Sequence, residues 1–117
     1  MQELTHYING AHVKGTSGRF ADVFNPATGE VQAKVPLANE AEMAQAVEIA
    51  AKAQPAWAAV NPQRRARVMM AFVGLLNRDM DKLAEALSRE HGKTLPDAKG
   101  DVIRGLEVVE YLSLIHI

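Results

Sequence analysis

The sequence predicts an α/β chain, with a β-hairpin and short strands in its first third and about four amphipathic helices after them. Apolar residues up to Val35 come in short groups separated by Asn-Gly, Ser-Gly and Pro-Ala-Thr-Gly turn chemistry. From Asn39 onward they recur at helical intervals. The residues that punctuate this second part, Asn39, Asn61, Gly92 and Thr94, are of the types that cap helices.

From Tyr7 to Val13, two apolar pairs flank Asn9-Gly10, a dipeptide that tolerates the positive φ angles of a tight hairpin turn. Thr16 to Gly18 reads as loop and Phe20 to Phe24 as an extended segment. Asn25-Pro26-Ala27-Thr28-Gly29 reads as a turn leading into a strand at Val31 to Val35. Asn39 and Glu42 have the spacing of a capping box, and Met43, Val47, Ala50 and Ala51 then recur at helical intervals until Pro55. Asn61-Pro62 starts a second helix with the stripe Val68, Phe72, Leu75, Leu76. Met80, Leu83, Ala84 and Leu87 give a third, ending at Gly92. Thr94 to Pro96 restarts the pattern for a fourth helix on Ala98, Val102, Leu106 and Val109.

Composition narrows the function classes. The 117 residues are 48% hydrophobic and 23% charged, as in ordinary globular proteins. Thirteen Lys and Arg against 14 Asp and Glu leave a net charge of -1, so no basic field favours nucleic acid or an anionic membrane. With no cysteine there is neither a disulfide framework nor a Cys-based metal site, and a nucleophilic thiol has to come from elsewhere. The start MQELTHYING lacks the features of a signal peptide or an Arg-rich leader, which predicts a cytoplasmic protein with no membrane partner.

Motifs for chemistry are sparse. His6, His12, His91 and His116 share no i, i+4 spacing with each other, and no metal site is expected. No phosphate loop, GxGxxG or GxSxG is present. Beyond Tyr111 the charged helical texture gives way to Leu-Ser-Leu-Ile-His-Ile. The codons CTG TCT CTT ATA CAC ATC would encode these residues and resemble a transposase mosaic-end adaptor, so residues 112–117 are expected to be a non-native tail. A genuine short apolar C-terminus is the alternative.

Taken together, YING, FNPATGE with its following strand, AQPAWAAV, RRARVM and SREHGKTLPDAKGDVIRGLEVVEY resemble the beginning of an aldehyde dehydrogenase, in order over nearly all of residues 6 to 111. Within that superfamily, GTSGRFADVFNPATGEV and the EHGKTL to GLEVVE stretch are most similar to the CoA-acylating methylmalonate-semialdehyde branch. General members usually carry ETGKP in place of the EHGKT here. The resemblance implies that residues 1–111 are an incomplete N-terminal segment of that fold, inactive alone. It also implies a full-length homotetramer that uses NAD and coenzyme A to convert methylmalonate or malonate semialdehyde to propionyl-CoA or acetyl-CoA. In that chemistry a cysteine thiolate attacks the aldehyde, hydride passes to NAD and CoA takes the acyl group. The catalytic and NAD-holding residues would all lie beyond this segment. Two other readings compete: a hydrolytic NAD(P)-dependent aldehyde dehydrogenase, distinguished by CoA-independent turnover, and a free-standing helical binding module, which would melt cooperatively.

The resemblance implies one substrate-binding residue, Arg104, matching the arginine that holds the substrate carboxylate in this branch. A guanidinium suits the task because its planar fork engages both carboxylate oxygens. Spacing alone instead suggests a solvated residue pairing with Asp101 or Glu107 at i, i+3, contributing about 0.2 to 0.5 kcal/mol. Gly100 and Gly105 each cost about 0.8 to 1 kcal/mol relative to alanine inside a helix, which suggests close approach of a neighbouring helix or a substrate channel. Arg64, Arg65 and Arg67 could meet a CoA phosphate or form a solvated face, the commoner case. Trp57 reads as a core or interface anchor with no cofactor role.

Overall fold

A computed structural model describes residues 2–115, which form two compact units divided between residues 59 and 60. The first unit holds strands β1 (Gln2–Glu3), β2 (His6–Ile8), β3 (Ala11–Val13), β4 (Phe20–Phe24) and β5 (Val31–Pro36), then helix α1 (Glu40–Ala58). The second holds α2 (Pro62–Arg78), α3 (Met80–His91) and α4 (Leu95–Leu114).

The hairpin forms where Asn9-Gly10 predicts it. β2 and β3 pair antiparallel, with Ile8 opposite Ala11 across a turn in which Asn9 and Gly10 take φ of 55° and 74°. Two consecutive positive φ values match the right-handed strand twist and favour these residues. β5 is the centre of a second sheet, parallel to β1 and antiparallel to β4. The β4–β5 turn is closed by Asn25, whose carbonyl accepts from Gly29 N–H at 2.7 Å and whose side chain accepts from Ala27 N–H at 3.0 Å. The ladder slips where Val23 and Phe24 face Ala33 and Val31, leaving Gln32 as a bulge. The Gln32 side-chain amide donates to Phe24 carbonyl at 3.3 Å. Ala33 and Pro36 are the buried residues of β5.

The capping box forms in full: Asn39 Oδ1 accepts from Glu42 N–H at 2.8 Å, and Glu42 Oε2 accepts from Asn39 N–H at 2.9 Å. Helix α1 does not stop at Pro55, as the sequence reading expects, but runs through it to Ala58. A proline removes one backbone donor and crowds the turn before it, yet its fixed φ is helical and the residues after it can close their own bonds. Ala59 N–H reaches Pro55 carbonyl at 3.1 Å. No residue of α1 is buried, and Trp57 is 43% exposed, so the described chain does not enclose it as a core anchor.

In the second unit α4 packs against both α2 and α3. Each helix supplies a buried alanine, Ala66, Ala84 and Ala98, the last two at 0% exposure, joined by Leu106 and Ser113 of α4. The predicted stripe on α4 is thus the packed one. α4 also includes Leu112 to Leu114 of the tail, with Ser113 Oγ donating to Glu110 carbonyl at 2.6 Å. His116 and Ile117 lie outside the described residues. No described helix is long and apolar enough to cross a membrane.

Candidate functional site

The surroundings of Arg104 begin at the end of α3. Gly92 takes φ 85° and donates its N–H to Ser88 carbonyl at 2.8 Å, the left-handed stop that glycine allows without a Cβ clash. Ser88 Oγ then donates to Lys93 carbonyl at 2.7 Å. Thr94 follows immediately as the N-cap of α4, its Oγ1 accepting from Asp97 N–H at 3.4 Å, with Pro96 in the first turn. This short connection sets Lys93 beside the second turn of α4, where its ammonium pairs with Asp101. Lys99 of α4 and Asp81 of α3 make a further ion pair at 2.6 Å.

Helical geometry assigns the faces of α4. Ala98, Val102, Leu106, Val109 and Ser113 lie on the packed side. Gly100, Arg104 and Tyr111 lie on the opposite side, flanked by Ile103 and Val108. This outer face mixes exposed apolar and acidic residues: Val108 is 56% and Tyr111 68% exposed, with Arg104 between them and Gly100, and Asp97 and Glu107 lie on the same side. An added Cβ at Gly100 or Gly105 would meet nothing within 4 Å, so the close approach suggested by these glycines is not made by any part of the described chain. Gly100 lies off the packed side of α4, whereas Gly105, seven residues after Ala98 and three after Val102, borders that side and is nevertheless exposed.

Arg104 is exposed and, among the described residues, forms neither expected i, i+3 ion pair. Asp101 is engaged by Lys93 instead. The Lys93 hydrogen bond is the main cause holding the Asp101 carboxyl below the usual carboxylate range, with smaller help from the charges of Lys93, Arg104 and His91 and some opposition from desolvation. Arg104 thus acts on Asp101 by charge at a distance, and its fork remains open to an anion. Sequence reasoning named Arg104 but missed Lys93, which belongs to no helix. A lysine directly after a helix-ending glycine was the signal available.

The other candidates do not gather around Arg104. Arg64 and Arg67 are exposed on the first turns of α2, and Arg65 is partly buried there with Nε unpartnered. His12 Nδ1 and Thr5 Oγ1 lie 2.8 Å apart, and the His12 ring stacks edge-on to Tyr7. Among the described residues, no three His, Asp or Glu side chains gather to hold a metal ion. Nor do those residues form a pyrophosphate cradle, since no strand passes through a glycine-rich turn into a helix.

Residues 12–114 match the family model described as the aldehyde dehydrogenase family. A putative methylmalonate-semialdehyde dehydrogenase from Sinorhizobium meliloti, solved with NAD, superposes with a TM-score of 0.95 at 64% identity, covering 98% of this chain and 23% of that one. A methylmalonate-semialdehyde dehydrogenase from Oceanimonas doudoroffii gives 0.93 at 40% identity, covering 97% and 23%. A malonate-semialdehyde dehydrogenase of Pseudomonas aeruginosa is 47% identical over 95% of this chain and 22% of its own length. The chain thus spans less than a quarter of each of these relatives.

Proposed function

The chain belongs to the aldehyde dehydrogenase family, and on that premise we propose that it is the N-terminal segment of an NAD-dependent, CoA-acylating methylmalonate- or malonate-semialdehyde dehydrogenase, with Arg104 holding the substrate carboxylate. When bound by the complete enzyme, NAD would accept the hydride and CoA the acyl group. A cytoplasmic homotetramer is part of the same reading.

The observation that carries the assignment is the state of Arg104: an exposed guanidinium on the side of α4 away from α2 and α3, with no ion pair among the described residues. A semialdehyde of this class differs from a plain aldehyde by a carboxylate, which a guanidinium engages through two parallel hydrogen bonds. The similarity to the two solved methylmalonate-semialdehyde dehydrogenases supports that substrate class.

The test compares two substrates in the full-length enzyme. Arg104→Leu should lower kcat/KM for methylmalonate semialdehyde by roughly ten- to a hundredfold, since a charge-assisted hydrogen bond contributes about 1.5 to 3 kcal/mol. Propanal turnover should change little. Arg104→Lys should recover only part of the loss, because an ammonium lacks the two-pronged geometry. Equal loss on both substrates would make Arg104 a structural residue, and turnover independent of CoA would favour a hydrolytic enzyme.

A further inference from the structure

Resting on the carboxylate reading of Arg104, we propose that Lys93 is a positioning residue for substrate recognition: its ion pair withdraws the Asp101 carboxylate from Arg104 and so keeps the guanidinium available to the substrate.

Asp101 stands at i−3 from Arg104, and long side chains on a helix lean toward its N-terminus, so the arginine stem is directed over the turn that carries Gly100 and Asp101. An acid placed N-terminal to a base is also the favoured orientation for helical ion pairs, whereas Glu107, at i+3, is in the weaker one. Asp101 is therefore the natural competitor of a substrate carboxylate. Lys93 removes it. Lys93 can do so because its backbone is fixed on both sides, by the Gly92 stop with the Ser88 hydroxyl and by the Thr94 cap. The Lys93 side chain is only 20% exposed against 46% for Lys99, so this is the more enclosed of the two lysine pairs along α4. Gly100, one turn before Arg104, adds no Cβ to the space the guanidinium and its ligand would share.

In the full-length enzyme, Lys93→Met keeps most of the side-chain stem but frees Asp101. It should raise KM for methylmalonate semialdehyde about two- to fivefold, the range of an exposed ion pair, leave kcat nearly unchanged, and leave both constants for propanal unaltered. Adding Asp101→Asn should return KM to near the wild-type value, and Lys93→Arg, which preserves the pair, should never lose it. A Lys93→Met enzyme with wild-type KM, alongside an Arg104→Leu enzyme selectively impaired on the semialdehyde, overturns this inference and leaves the carboxylate reading standing. A double variant with KM as high as the single one overturns it too, because the lysine charge itself would then be responsible. Equal impairment of both substrates by Arg104→Leu overturns the carboxylate reading and this inference with it.

Discussion

Helices α1 and α4 are nearly equal in length, 19 and 20 residues, and both begin at a side-chain cap, yet α1 buries nothing while α4 buries Ala98, Leu106 and Ser113. The better-capped helix is the less buried one. Capping and apolar periodicity act within a segment and decide that it is helical; burial requires a second surface. α4 finds that surface in α2 and α3. Met43 and Val47 of α1 remain largely exposed in this chain, as do Val108 and Tyr111 on the outer face of α4. In both helices the exposed apolar residues measure what the chain itself does not cover.

The contrast can be broken at its strongest point by truncation. Leu106→Ala should destabilise the α2–α4 unit by about 2 to 4 kcal/mol through lost burial and the cavity left behind, while Val47→Ala in α1 should stay within about 0.5 kcal/mol. Site-resolved amide exchange would show α4 losing protection in the first variant only. If Val47→Ala loosened α1 only in the full-length protein, that residue would be covered there by a surface this chain does not supply.

A smaller effect separates glycines by their surroundings. A Cβ at Gly15 would lie 2.9 Å from Pro36 Cβ and 3.4 Å from His6 Nε2, so Gly15→Ala should cost about 1 to 3 kcal/mol by overpacking. Gly100→Ala, with open space around it, should instead raise helix stability by about 0.8 to 1 kcal/mol. Denaturation midpoints moving in opposite directions would confirm the distinction. A destabilising Gly100→Ala in the full-length enzyme would reveal the close neighbour that this segment lacks.

The smallest expected effect concerns pH at the start of α1. Glu42 accepts from Asn39 N–H and, at 2.6 Å, from Thr16 N–H, and these bonds hold its carboxyl below the ordinary value. A carboxyl lowered on folding contributes stability at pH above its unfolded value, and that contribution is lost as pH falls through the folded value. Exchange protection of the first turn of α1 should therefore decline in acid. Glu42→Gln should remove that part of the pH dependence while leaving Asn39 Oδ1 to cap Glu42's backbone position.

Much of the fold was legible because its signals are local. Asn9-Gly10 specifies a hairpin turn whatever surrounds it, and Asn39, Asn61 and Thr94 each accept the backbone N–H that their position predicts. Pro55 misled because one missing donor was read as a stop. β1 was not foreseen, since Gln2-Glu3 has no apolar pattern; it pairs in parallel with β5. The site was less legible. Arg104 stood out only through resemblance, and spacing paired it with Asp101 or Glu107 by the i, i+3 rule. The rule failed because it considers one helix at a time, whereas Lys93 reaches Asp101 from the preceding turn.

The three buried alanines make the mutational tolerance of the helical unit one-sided. At Ala66, Ala84 and Ala98 almost no volume can be removed, so a change to glycine leaves scarcely any void and costs mainly about 1 kcal/mol of helix propensity, whereas every larger residue, serine included, must be fitted between two helices. A contact defined by closeness also ties the helices to one another: α4 cannot slide or turn about its axis without driving a side chain into α2 or α3. Whatever meets its outer face therefore meets a surface whose position has already been set from behind.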